Sequence, residues 1–236
     1  VPTISSVIGT LDTSGQARGV TLSLDGNTAY VTDWTSGLQV IDVSDSNAPA
    51  LVKTLDTSGV AWGVTLSADR NTAYVAADTA GLQIIDVRNP STPTVLGTLD
   101  TSGQALDVTL SADGNIAFVA DFTSGLQVID ISNPSAPALT GTLATSGQAL
   151  DVTLSANRNT AYVANYTSGL QIIDVSNPST PTLVKTLGTS GFARGVTLSA
   201  DGDTAYVVAD HAGLHIIDVS DSNAPIVTGT LDISGV

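Results

Sequence analysis

Thr28-Ala29-Tyr30-Val31-Thr32-Asp33-Trp34-Thr35-Ser36-Gly37-Leu38-Gln39-Val40-Ile41-Asp42-Val43 decides the fold. It returns with few changes at 72–87, 116–131, 160–175 and 204–219, each time 44 residues on. The segment around Leu11 keeps the same step at Leu55, Leu99, Leu143, Leu187 and Leu231. No insertion or deletion interrupts it. A period of about 20–50 residues is the mark of a solenoid, a propeller or an array.

The rest of the unit reads outward from that stretch. Gly19-Val20-Thr21-Leu22-Ser23 alternates apolar and polar residues, which is strand patterning. Leu24-Asp25-Gly26-Asn27 is a hairpin turn in which the glycine takes the positive φ. Thr28–Thr32 and Leu38–Val43 are the second and third strands. Ser44–Pro49 turns, and Ala50–Leu55 is the fourth strand. Four short strands per repeat with no helical period predict an all-β, five-bladed β-propeller. The repeats run at about 12–55, 56–99, 100–143, 144–187 and 188–231. β-Helix coils are usually shorter and carry fewer hairpins, and a two-sheet sandwich does not need five equal units. A further fourth-type strand is expected at 7–11, so that one terminus closes the ring and removes its open edge.

Composition agrees. The 236 residues are 42% hydrophobic and only 12% charged. The net charge is −15, and all the acidic residues are Asp. Short carboxylates suit turns, whereas Glu suits helices. So acidic a chain should repel nucleic acid and anionic membranes, and no apolar run reaches the roughly 20 residues of a membrane-spanning helix. There is no Cys and no Met. Thiol catalysis and disulfides are excluded, and Val1 is expected to follow from processing, excision or engineering.

Leu38–Val43 and its counterparts at 82–87, 126–131, 170–175 and 214–219 resemble the core of LVIVD-repeat propellers. Ala29–Asp33 is similar to the YVTN-type repeats of microbial surface proteins. The resemblance spans the chain. It implies a propeller, a binding or surface role, and an extracellular or cell-surface location.

The five copies disagree at two places. Before the first strand one column reads Arg18, Trp62, Leu106, Leu150, Arg194, and the next reads Gly19, Gly63, Asp107, Asp151, Gly195. After the second strand another reads Trp34, Asp78, Phe122, Tyr166, Asp210. In an antiparallel blade both loops lie at one end. Five of the ten aromatics (Tyr30, Tyr74, Phe118, Tyr162 and Tyr206) are core residues of the second strand. The other five, Trp34, Trp62, Phe122, Tyr166 and Phe192, therefore share one face of the ring. Clustered aromatics on loops of a rigid scaffold point to recognition. Arg18 and Arg194 predict a basic side of that face, and Asp107 with Asp151 an acidic one.

Catalysis finds little support. Asp107 with Asp151, or Asp78 with Asp210, are the only carboxylate pairs for glycoside hydrolysis, and no Glu exists. His211, His215 and Asp210 lack a recognised metal spacing, and no cofactor motif is present. The sequence predicts a non-enzymatic module that binds a glycan or a protein partner through the aromatic face. A structural or adhesive surface repeat, contacting other domains of a longer parent chain, is the alternative. An engineered or recently amplified ring with no ligand is a third.

Overall fold

A computed structural model describes residues 7–232. Five four-stranded antiparallel sheets follow one another in chain order. They are β1 Gly19–Leu22, β2 Thr28–Thr32, β3 Leu38–Asp42 and β4 Ala50–Leu55; β5 Val64–Leu66, β6 Thr72–Ala76, β7 Leu82–Asp86 and β8 Thr94–Leu99; β9 Asp107–Leu110, β10 Ile116–Ala120, β11 Leu126–Asp130 and β12 Ala138–Leu143; β13 Asp151–Leu154, β14 Thr160–Ala164, β15 Leu170–Asp174 and β16 Thr182–Leu187; β17 Phe192–Leu198, β18 Thr204–Asp210, β19 Gly213–Asp218 and β20 Ile226–Leu231. The five blades are the four-stranded propeller units that the repeat predicts.

Burial explains the composition of each strand. In the second, third and fourth blades the second and third strands are buried on both faces, because a neighbouring blade covers each side. They therefore read as nearly continuous apolar runs. The fourth strands are mostly exposed and alternate weakly. Four core clusters each join strands two and three of one blade to the first three strands of the next. Tyr74, Leu82 and Ile84 of the second blade pack on Val108, Ala117 and Ile129 of the third. At the far end of the blades the Ser-x-Asp-x-Asn hairpin holds itself together. Ser23 Oγ donates to Asp25 at 2.5 Å, Asn27 N–H donates to the same carboxylate at 3.1 Å, and Thr28 N–H donates to Ser23 Oγ at 2.9 Å. Gly26 there has φ 73°, as expected, but Arg70 and Arg158 hold the same left-handed position at 60° and 59°. Both guanidiniums reach back to the preceding blade's inner strand, donating to the Leu22 and Leu110 carbonyls at 3.0 and 2.8 Å.

Of the two terminal segments, the C-terminal one, β20, completes the last blade, and the strand expected at 7–11 is corrected. Val7–Leu11 forms no strand, because no partner strand lies beside it among the described residues. Nor does any hydrogen bond or strand bridge there join the last blade to the first. Closure by a terminal strand is thus not what the structure displays.

In β3, β7, β11 and β15 a buried Gln occupies one position and donates to a nearby loop, as Gln39 Nε2 does to the Ser36 carbonyl at 2.9 Å and Gln127 Nε2 to that of Ser124 at 2.8 Å. The fifth copy has His215, 2% exposed, with neither ring nitrogen partnered among the described residues. An unsatisfied buried polar group costs about 1–3 kcal/mol. His215→Gln restores the repeat's own solution, and is expected to raise stability by about 1 kcal/mol in chemical denaturation. An unchanged or lowered midpoint would contradict this account.

Candidate functional site

In the first four blades the loop after the second strand is held by the next blade. Trp34 pairs with Ala61, Asp78 with Ala105, Phe122 with Ala149 and Tyr166 with Ala193, each as a two-residue antiparallel bridge. All four bridging loop residues have positive φ, from 33° to 51°. Such a backbone costs of order 1–3 kcal/mol for a non-glycine residue and persists only where the surroundings enforce it. The bridge is that enforcement, and it turns the four side chains onto one end of the propeller. The two divergent columns do meet there, as the antiparallel geometry requires.

Their side chains then sort into two clusters and a cavity. Trp34 and Trp62 lie with ring centroids 6.3 Å apart, and the Arg18 guanidinium covers both at 4.9 and 4.7 Å. Tyr166 and Phe192 stack at 4.4 Å, with Arg194 over Tyr166 at 4.7 Å. Arg194 Nε also donates to Asp210 at 2.7 Å; this contact lowers the Asp210 carboxyl. Between the clusters opens a cavity of about 380 Å³, lined by Trp62, Asp78, Gln104, Leu106, Phe122, Leu150 and Arg194. These residues come from the second to fifth blades. Gln104 Nε2 donates to Asp78 Oδ1 at 3.0 Å, fixing one polar edge. The Trp62 indole nitrogen has no partner among the described residues.

The expected split into a basic and an acidic side does not arise, for each charge is otherwise engaged. Arg18 lies on the tryptophans and Arg194 on Asp210. Asp107 and Asp151 face the inner strand of the following blade, where their carboxylates accept from Val152 N–H at 3.1 Å and Val196 N–H at 2.7 Å. They staple the third blade to the fourth and the fourth to the fifth. Burial first, then the neighbouring Asp151, push the Asp107 carboxyl well above its usual range. In the first blade Thr32 does similar work, donating to the Trp62 carbonyl.

Sequence reading passed over three features. Gln104 and Leu106 were not among the expected site residues, although Leu106 stands in the column of Trp62 and Arg194, and both line the cavity. Arg70 and Arg158 border a second opening of about 360 Å³ at the far end, with Thr21, Thr65 and Thr109; the glycine-to-arginine change in the hairpin was their signal. Asp33 and Asp121 are fully buried. Their column, which continues with Ala77, Asn165 and Ala209, is variable enough to have flagged them. Thr13 Oγ1 and Gly15 N–H donate to Asp33 at 2.9 and 2.8 Å, and Thr101 Oγ1 to Asp121 at 2.8 Å. Among the described residues no group of three His, Cys, Asp or Glu side chains is placed to hold a metal ion.

The LVIVD repeat family matches five times, at residues 14–57, 58–101, 102–145, 146–189 and 190–233. Among solved structures, a functionally unknown protein from Desulfotomaculum acetoxidans DSM 771 superposes with a TM-score of 0.79 at 17% identity, covering 97% of this chain and 74% of that one. The β-propeller domain of Myceliophteria thermophila Cps50 (Swd1) gives 0.73 at 13%, covering 94% and 74%. About a quarter of each of those chains lies outside the match. At these identities the likeness is one of fold. No curated protein matches the sequence.

The carboxyls pull stability in two directions with pH. Burial raises Asp121 to about 6, so its favourable contribution is present below the unfolded value of 3.8 and is lost as pH rises through about 6. The hairpin carboxyls of Asp25, Asp69, Asp113 and Asp201 are lowered, first by their serine hydrogen bonds. Their contribution is present above the ordinary carboxylate value and is lost as pH falls through their folded values. Chemical denaturation is expected to show a maximum between about pH 4 and 6, with the Asp121 carboxyl carbon titrating near 6 by NMR. A midpoint that climbs steadily from pH 4 to 8 would refute the assignment.

Proposed function

The chain belongs to the LVIVD repeat family, and on that premise we propose a non-enzymatic recognition module that binds a glycan or a protein partner in the cavity of the aromatic face. One observation carries the reading. Six residues at positions where the repeats differ, Trp62, Asp78, Leu106, Phe122, Leu150 and Arg194, converge on one concave site of about 380 Å³.

The chemistry of the walls favours a ring or an apolar side chain with polar edges. Trp62, Phe122, Leu106 and Leu150 offer flat and branched apolar surface. The Asp78–Gln104 pair and Arg194 supply hydrogen-bonding groups at its margin. Sugar rings and aromatic or aliphatic side chains of a peptide fit that mixture. Concave, mainly apolar sites with a few convergent polar groups are where small ligands and anchor residues bind. Hydrolysis draws no support from the carboxylates. Asp107 and Asp151 are committed to backbone amides, and Asp210 to Arg194. An extracellular or cell-surface setting accords with the acidic composition and remains part of the proposal.

Trp62 provides the readout. A panel of oligosaccharides and of short aromatic peptides titrated into the protein is expected to give a saturable change in tryptophan emission for one class. Phe122→Ala, which leaves both tryptophans in place, is expected to weaken that binding at least about tenfold, the effect of losing an aromatic anchor. Silence across both panels would overturn the recognition reading and favour a purely structural repeat.

A further inference from the structure

Four of the seams between blades are built alike, and the seam between the fifth and first blades presents both halves of that interface unmated. On the first blade, Val20 and Leu22 of β1 are 66% and 46% exposed, whereas their equivalents Val108 and Leu110 in β9 are 4% and 8% exposed. On the fifth blade, Val208 of β18 is 46% exposed where Ala76, Ala120 and Ala164 are fully buried. Tyr206, Leu214 and Ile216 are also only half-buried, although their counterparts elsewhere are closed off. The core cluster of the first blade holds Ala29, Val31 and Ile41 with Leu11 and Val43, and lacks the Tyr or Phe, the Leu and the Val or Ile that a preceding blade contributes at every other seam. The loop bridge repeated four times ends at Ala193, and Ala17 receives none.

The segment Val7–Leu11 says what belongs in that place. A Cβ on Gly9 would touch the Ser46 carbonyl and Pro49. At Gly97 in β8 it would touch the Pro134 carbonyl and Pro137 of the following blade, and at Gly141 in β12 the Pro178 carbonyl and Pro181. Likewise Leu11 packs on the first blade as Leu99 of β8 packs on the third. Val7–Leu11 thus occupies the position of the fourth strand of a blade preceding β1. Among the described residues it pairs with no strand. The fifth blade is not that blade, for its own fourth strand is β20.

We infer that the seam is a docking surface for one further blade unit of the same repeat, three strands that take Val7–Leu11 as their fourth. The partner's chemistry follows from the interface. Its second and third strands must carry the Ala-aromatic-Val-(Ala/Thr) and Leu-Gln-(Val/Ile)-Ile patterns that fill the other seams.

The absence of native Cys makes the test direct. Val20→Cys and Val208→Cys are made singly in the full chain, with Val152→Cys at a closed seam as reference. The probe is the segment 100–131 of this chain, the three inner strands of its third repeat, carried on a soluble protein, with that carrier alone as control. The thiols at positions 20 and 208 are expected to react with a disulfide reagent at least about tenfold faster than that at 152. The probe is expected to slow them tenfold or more, saturably and at one probe per chain. Three results would overturn the inference. One is protection in the free monomer, with the double variant forming an intramolecular disulfide, which means that the fifth blade closes on the first. Another is protection that grows with protein concentration, which means a second copy. The third is no protection by the probe.

Discussion

A blade of this protein cannot satisfy itself. Its second and third strands are apolar on both faces, so each blade needs a neighbour on each side. Burying one Val, Leu or Ile side chain is worth roughly 1.5–3 kcal/mol, while one more hydrogen bond nets about 1. The contact between blades therefore outweighs the hydrogen-bonding within any one of them. The other devices between blades refine that packing. Trp34, Asp78, Phe122 and Tyr166 bridge to the next blade in a conformation they would not adopt alone. Asp107, Asp151, Thr32, Arg70 and Arg158 tie inner strands and hairpins across the same seams.

The candidate site inherits its rigidity from this arrangement. Its walls come from four blades, and the wall residues Asp78 and Phe122 sit on backbone clamped by the following blade. Arg18 and Arg194 order the rim rather than forming a free basic field. Their guanidiniums lie flat on aromatic rings, an interaction worth about 0.5–1 kcal/mol at exposed sites and more where water is excluded. The site is preformed, which lowers the ordering cost of binding.

Most of the architecture was legible because the repeat compares the chain with itself. Strand positions follow from the alternation at Val20-Thr21-Leu22 and the apolar run at Leu38–Ile41, and the shared face follows from antiparallel connectivity. The partners of individual side chains were not legible. Asp107 looks like a site carboxylate in a column of glycines. Only the packing shows that the amide of Val152 stands in front of it. The same holds for Asp121, whose burial depends on how the Thr101 loop folds over it. Nor did the pattern tell a fourth strand from a fourth-strand sequence. Val7–Leu11 has the residues of one and no neighbour to pair with.

The uninterrupted spacing of 44 residues has an evolutionary consequence. Every joint between adjacent copies is of one kind, so unequal crossing-over between two copies removes or duplicates a whole blade and leaves only joints already tried. A slip of a single residue inside a strand is different, because it turns each inward side chain outward along that strand. A change in copy number therefore reuses existing interfaces, whereas a change in the length of the unit has to make new ones.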